Sequence, residues 1–167
     1  MDVMNTFVGL SSVLTGFAES VLAPPLDPVD IKSLYLKTWT ENIAHESGEA
    51  GLTENILQQY TELQAAGKNE QQIGEQLLSD QNSPAFVLSC QKLIYLWYMG
   101  AWPAVTQQPD SESGGFTTFD TLTADSYTSG LVWKVMQAHP MGDSNYRYGY
   151  WAEQPPALSD YTGNSGN

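Results

Sequence analysis

Cations are what this sequence has least of. Six Lys/Arg stand against 19 Asp/Glu in 167 residues, a formal net charge of −13. Binding a phosphate backbone needs clustered cations, so no nucleic-acid partner is expected, and an anionic membrane surface is disfavoured for the same reason. The acidic excess by itself needs no purpose beyond solubility. Cysteine is nearly missing too. Cys90 stands alone, which excludes an internal disulfide, argues against a thiolate metal site and leaves the redox compartment open. Its place in an apolar helix suits an inert thiol. No membrane-length apolar run occurs: the most apolar stretch carries Gln91-Lys92 in its middle and falls short of the ~20 residues a span needs. Residues 1–23 hold no Arg or Lys, and Gly9, Ser11, Ser12 and Thr15 interrupt their apolar residues, so no signal peptide is visible.

The inventory for chemistry is equally thin. His45 stands four residues after Glu41, but a di-iron helix needs Glu where Asn42 is, and a zincin needs His where Glu41 is. An exposed helical ion pair accounts for Glu41 and His45. His139 follows a helix and precedes Pro140, where a cation meets the negative end of the helix dipole. No Gly-x-Ser-x-Gly elbow occurs, Ser113-Gly-Gly115 lacks the Lys of a P-loop, and no Gly-x-Gly-x-x-Gly opens a βαβ unit. Carboxylates are plentiful, yet nothing selects a catalytic pair among them, and a solvated acidic face explains most. Neither catalytic nor cofactor-binding nor metal-ligating residues are expected, and the chain is read as having no enzymatic activity of its own.

What is present is helical periodicity. Phe7, Leu10 and Leu14 define a first helix limited by Gly16, with a break at Ala23-Pro24-Pro25. Asp27-Pro28 is expected to open a second, with Ile31, Leu34, Tyr35, Trp39 and Ile43 as its stripe. Thr53 is expected to cap a third carrying Ile56, Leu57, Tyr60 and Leu63, and Asn69 a fourth carrying Ile73, Leu77 and Leu78. Between Ser83, a ready N-cap, and Gly100, a ready stop, residues 84–99 are apolar on nearly every face. Such a helix is buried on all sides or buried by a partner, and is expected at the centre of the fold. Residues 101–123 are rich in Pro, Ser, Gly, Thr and Asp and read as a long loop, followed by a sixth helix over 124–138. The expected fold is thus all-α, a compact bundle of about six helices forming a helical domain over 1–140.

Residues 141–162 show no helical period but are dense in aromatics, and 163–167 are expected to be disordered. Rings without a period must lie on something, either this chain's own helices or another chain. A stand-alone helical module holding an apolar or carbohydrate ligand among these aromatics is the alternative reading.

Four stretches, taken in order, resemble a known family: Phe7-Val-Gly-Leu-Ser-Ser-Val-Leu-Thr-Gly16, Leu93-Ile-Tyr-Leu-Trp-Tyr-Met-Gly100, Tyr127-Thr-Ser-Gly-Leu131 and Gly149-Tyr-Trp-Ala-Glu-Gln-Pro155. Together they resemble the small subunit of membrane-associated FAD-dependent sugar and polyol dehydrogenases, which accompanies fructose, sorbitol and glucose dehydrogenases. The resemblance implies an accessory chain without FAD. Such a chain binds the large catalytic subunit of the glucose–methanol–choline oxidoreductase type, which holds the FAD, and helps it fold and reach the periplasm. It touches the membrane only indirectly. Some complexes of the family add a cytochrome c subunit. The sequence departs from the family pattern in lacking the twin-arginine leader, in a longer connection from Gly100 to Tyr127, and in having no Cys shortly before Gly149. On this reading Tyr146, Tyr148, Tyr150, Trp151 and Pro155, together with Trp97 and Tyr98, are the candidate interface with the catalytic subunit.

Overall fold

The first helix starts where Asp2 caps it: Met4 N–H donates to the Asp2 carboxylate at 3.1 Å. In this computed structural model, which describes residues 2–104, 118–142, 152 and 157–163, α1 spans Val3–Thr15 and ends at Gly16 with φ +75°. There follow α2 (Glu19–Leu22), α3 (Ile31–Ser47), α4 (Leu52–Ala65), α5 (Glu70–Leu77) and α6 (Pro84–Met99). Then come β1 (Ala101–Ala104), β2 (Thr118–Thr121), α7 (Ala124–Thr128), α8 (Leu131–Val135) and α9 (Leu158–Thr162). Among the described residues the fold is all-α apart from one antiparallel ladder pairing Ala101 with Thr121 and Ala104 with Thr118. No helix among the described residues is long and apolar enough to cross a membrane.

Contacts group the chain into two units, residues 1–94 and 95–167, so the division falls inside α6. The expected boundary at residue 140 lies within the second unit.

In the first unit α1 packs against α2, α3, α4 and α5, and α4 packs against α3 and α5. Phe7, Leu10, Phe17, Tyr35, Trp39, Ile56, Leu77, Cys90 and Leu93 are at most 1% exposed and form its core. At Gly9 a Cβ would overlap the Tyr60 hydroxyl, so α1 and α4 approach closely there. The α6 residues join through two polar ties. Trp39 Nε1 donates to the Ser89 carbonyl at 3.0 Å, and the buried Lys92 ammonium pairs with Glu46. Lys92, which reads as a break in an apolar run, is 2% exposed. On α6 the residues Phe86, Ser89, Cys90, Leu93, Leu96 and Trp97 are buried, whereas Val87, Leu88, Ile94, Tyr95, Tyr98 and Met99 are only half-buried. The helix therefore has an inner face and a partly wet one.

Several helix ends differ from their sequence reading. α3 begins at Ile31, not at Asp27. Asp27 instead accepts from Asp30 N–H at 2.8 Å, Asp30 takes φ +52°, and Lys32 bridges both carboxylates at 2.9 and 2.7 Å. That turn uses up the capping carboxylate before a helix can start. Lys32, as hydrogen-bond donor, holds the Asp30 carboxyl below its ordinary range. α4 starts after Gly51, and Thr53 lies inside it rather than capping it. Asn69 and Gln72 form the capping box of α5, and Phe86 N–H donates to Ser83 Oγ at 3.2 Å as an N-cap should.

In the second unit the segment 101–123, expected as a loop, is closed at its base by the β1–β2 ladder. The single helix expected over 124–138 is two short ones, interrupted at Ser129-Gly130. Leu158–Thr162 forms one helical turn stopped by Gly163 (φ +73°) and packs on α8. The terminal stretch 164–167 lies outside the described residues.

Candidate partner-binding site

Of the residues the sequence singles out for an interface, two are described. Trp97 is 3% exposed and Tyr98 is half-buried, with its hydroxyl pKa raised by desolvation. Tyr146, Tyr148, Tyr150, Trp151 and Pro155 lie outside the described residues. Trp97 packs the interior of its corner rather than offering a free ring.

That corner is built by two glycines. α6 stops at Gly100 with φ +62°, and a Cβ there would overlap the Ser126 carbonyl group and stand 2.9 Å from Tyr127 N. Ser126, fully buried, shares a capping box with Thr123 and donates from Oγ to the Gly100 carbonyl at 2.7 Å. Gly130 answers from the other side, where a Cβ would stand 2.8 Å from the Tyr98 carbonyl oxygen. The indole of Trp133 then donates to the Tyr127 carbonyl at 2.7 Å, with the Tyr127 and Trp133 rings edge to face at 5.2 Å. The stretches 93–100 and 127–131, separate in sequence, are thus two halves of one junction.

A second feature lies within the first unit, and the sequence reading missed it. A groove of about 700 Å³ runs along α4 and α3, with Val3 of α1 completing its lining. Leu36 and Leu57 form its apolar part, and Val3 beside them is 55% exposed. Thr40, Thr53 and Thr61 add hydroxyls, while Glu54 and Glu62 stand in the lining as carboxylates. Glu54 accepts from Thr53 Oγ1 at 3.1 Å and Glu62 from Gln58 Nε2 at 2.9 Å. Neither has a described cation within ion-pair distance. The one signal available in the sequence was Leu57. It sits beside the buried stripe of Ile56, Tyr60 and Leu63, and it widens the apolar face of α4 beyond what the core covers.

The remaining candidates carry little chemistry. Glu41 and His45 are both exposed, and no ion pair joins them. The expected helix-end role of His139 passes to Lys134, which occupies the last turn of α8; the His139 ring stands 3.0 Å from the Pro140 carbonyl. Burial pushes the Cys90 thiol up to about 12, far from a nucleophile's range. Among the described residues no three His, Cys, Asp or Glu side chains gather as a metal site. Comparison with known proteins yields no matching family model, curated protein or solved structure.

Proposed function

We propose that this chain is a non-catalytic accessory subunit, which binds and stabilises the FAD-containing catalytic subunit of a sugar or polyol dehydrogenase. The observation that carries this reading is the junction at Gly100. Two of the four stretches that resemble the small-subunit family interlock there through glycines that admit no side chain. Motifs that meet in space are better explained by one inherited architecture than by scattered coincidences. In this reading the flavin sits in the partner, the complex works at the periplasmic face of the membrane, and this chain performs no step of the oxidation. In this reading Tyr146, Tyr148, Tyr150, Trp151 and Pro155 supply the contact area.

The test is co-expression. A glucose–methanol–choline-type flavoprotein from the same genome is produced with and without this chain, and soluble flavin-loaded dehydrogenase is measured. The reading expects yield to depend on this chain and Trp151→Ala to weaken co-purification; equal yield and activity without it would sink the idea. A second reading, a stand-alone binding module, is favoured by one observation: the α3–α4 groove has a volume near 700 Å³, within the ~300–1,000 Å³ usual for small-molecule sites. Saturable thermal stabilisation of the isolated chain by sugars or lipids, with no flavoprotein recovered, would favour that second reading.

A further inference from the structure

We propose that the α3–α4 groove takes one amphipathic helix of a protein partner, whose apolar stripe is flanked by two cationic side chains. Four properties of the groove select that occupant. Its apolar part, Leu36, Leu57 and the exposed Val3, needs side chains rather than water against it. Its lining on α4 runs from Thr53 to Glu62, about 13 Å at ~1.5 Å per residue, or two and a half turns of a docked helix. Its α3 and α4 walls are helices whose backbone groups are internally bonded. An extended peptide would find no strand edge there, whereas a helix brings its own backbone already satisfied.

Charge decides the rest. Glu54 and Glu62 are exposed and, among the described residues, hydrogen-bonded only to neutral donors. They stand eight residues apart on one helix, about 12 Å along its axis. Lys or Arg seven or eight residues apart on the incoming helix would meet both. Self-association is a poor source of those cations, since two copies each of net charge −13 repel. A small apolar ligand would leave both carboxylates unmet. The inference stands on the groove alone and is independent of the dehydrogenase reading, so either can fail without the other.

The experiment titrates the full-length ¹⁵N-labelled chain with a synthetic helical peptide carrying a Leu stripe and two Lys eight residues apart. A matched peptide with Glu in place of Lys, and a naphthalene-type apolar dye, serve as controls. Expected are saturable amide shifts confined to the start of α1 and to α3 and α4, with no response to the Glu peptide. In the Glu54→Gln/Glu62→Gln double variant, affinity should fall about five- to tenfold, as two rim ion pairs allow. Both glutamates are exposed, so the variant should keep the amide spectrum of the parent chain. Shifts spread over the whole acidic surface, equal binding of Lys and Glu peptides, or unchanged affinity in the double variant would each overturn the proposal. So would a dye that saturates the groove and leaves no room for the Lys peptide, or concentration-dependent dimerisation that the peptide abolishes.

Discussion

Gly100→Ala tests the junction between the end of α6 and the start of α7 directly. Two costs combine at this position. An L-residue held at φ +62° loses roughly 1 kcal/mol or somewhat more against glycine. The new Cβ also overlaps the Ser126 carbonyl group, which is backbone and cannot swing aside as a side-chain tip can. Relief requires moving α7 away from residue 100, which breaks the buried bond from Ser126 Oγ to the Gly100 carbonyl. Losing it costs about 1–3 kcal/mol. The sum is about 2–4 kcal/mol, a large part of an ordinary domain's stability. Gly48→Ala is the matched control, because Gly48 has φ +67° and open space where its Cβ would go. It carries the backbone cost alone, about 1 kcal/mol. Ser126→Ala should fall between the two, since Leu122 N–H also donates to the Gly100 carbonyl at 3.3 Å. Urea unfolding followed by tryptophan fluorescence reads the difference, with Trp97, Trp102 and Trp133 all in the second unit. At a slope of about 2 kcal/mol per M, Gly100→Ala should unfold about 0.5–1.5 M earlier than Gly48→Ala. Midpoints that coincide would refute the steric argument.

Three further outcomes are expected. Cys90, fully buried and with its thiol pushed up to about 12, should resist alkylation at pH 8 until the chain opens; fast labelling of the native protein would contradict its placement. Burial, reinforced by the Glu19 charge, raises Tyr60 to about 12. The native state then holds a proton that the unfolded state releases near pH 10, so stability should fall as pH rises from about 10 to 12. Tyr60→Phe should flatten that decline in a pH series of urea midpoints. Glu46→Gln removes the carboxylate from a buried ammonium and should cost about 1–3 kcal/mol, whereas Lys92→Met should cost less, because Glu46 can turn to water; the reverse order in thermal unfolding would exclude this account.

Signals local to a few residues were legible in the sequence. The cap of Asn69, the cap of Ser83 and the stop at Gly100 each depend on neighbours within one turn. The stripe Ile31, Tyr35, Trp39 and Ile43 could be read because burial follows the helical period. Asp30 was not legible: its left-handed backbone is held by Asp27 and Lys32 together, and Asp27-Pro28 mimics a helix start that this turn pre-empts. The split between α7 and α8 was hidden for another reason, since Gly130 answers to the Tyr98 carbonyl, about thirty positions away in the sequence. A four-residue strand containing Pro103 shows no alternation to detect, and α9 is a single turn without a period. Leu57 widens the apolar face of α4 but reads as one more member of its stripe, and Leu36 belongs to no stripe. Only packing shows that they line a groove that the core leaves open.

The distribution of charge gives folding and binding opposite salt dependences, which offers a way to separate them. Of the six Lys/Arg, Lys32 is committed to Asp27 and Asp30, and Lys92 to Glu46. The rest cannot balance the remaining carboxylates. Like charges so numerous repel across the folded surface, and that repulsion weakens as the screening length falls from about 30 Å at 0.01 M to about 8 Å at 0.15 M salt. The free chain should therefore melt at a higher temperature as NaCl is added over that range. Docking of a cationic helix against Glu54 and Glu62 draws on the same field with the opposite sign, so its affinity should drop over the same range. If peptide affinity instead rose with salt alongside the melting temperature, apolar burial would govern the groove and its carboxylates would be bystanders.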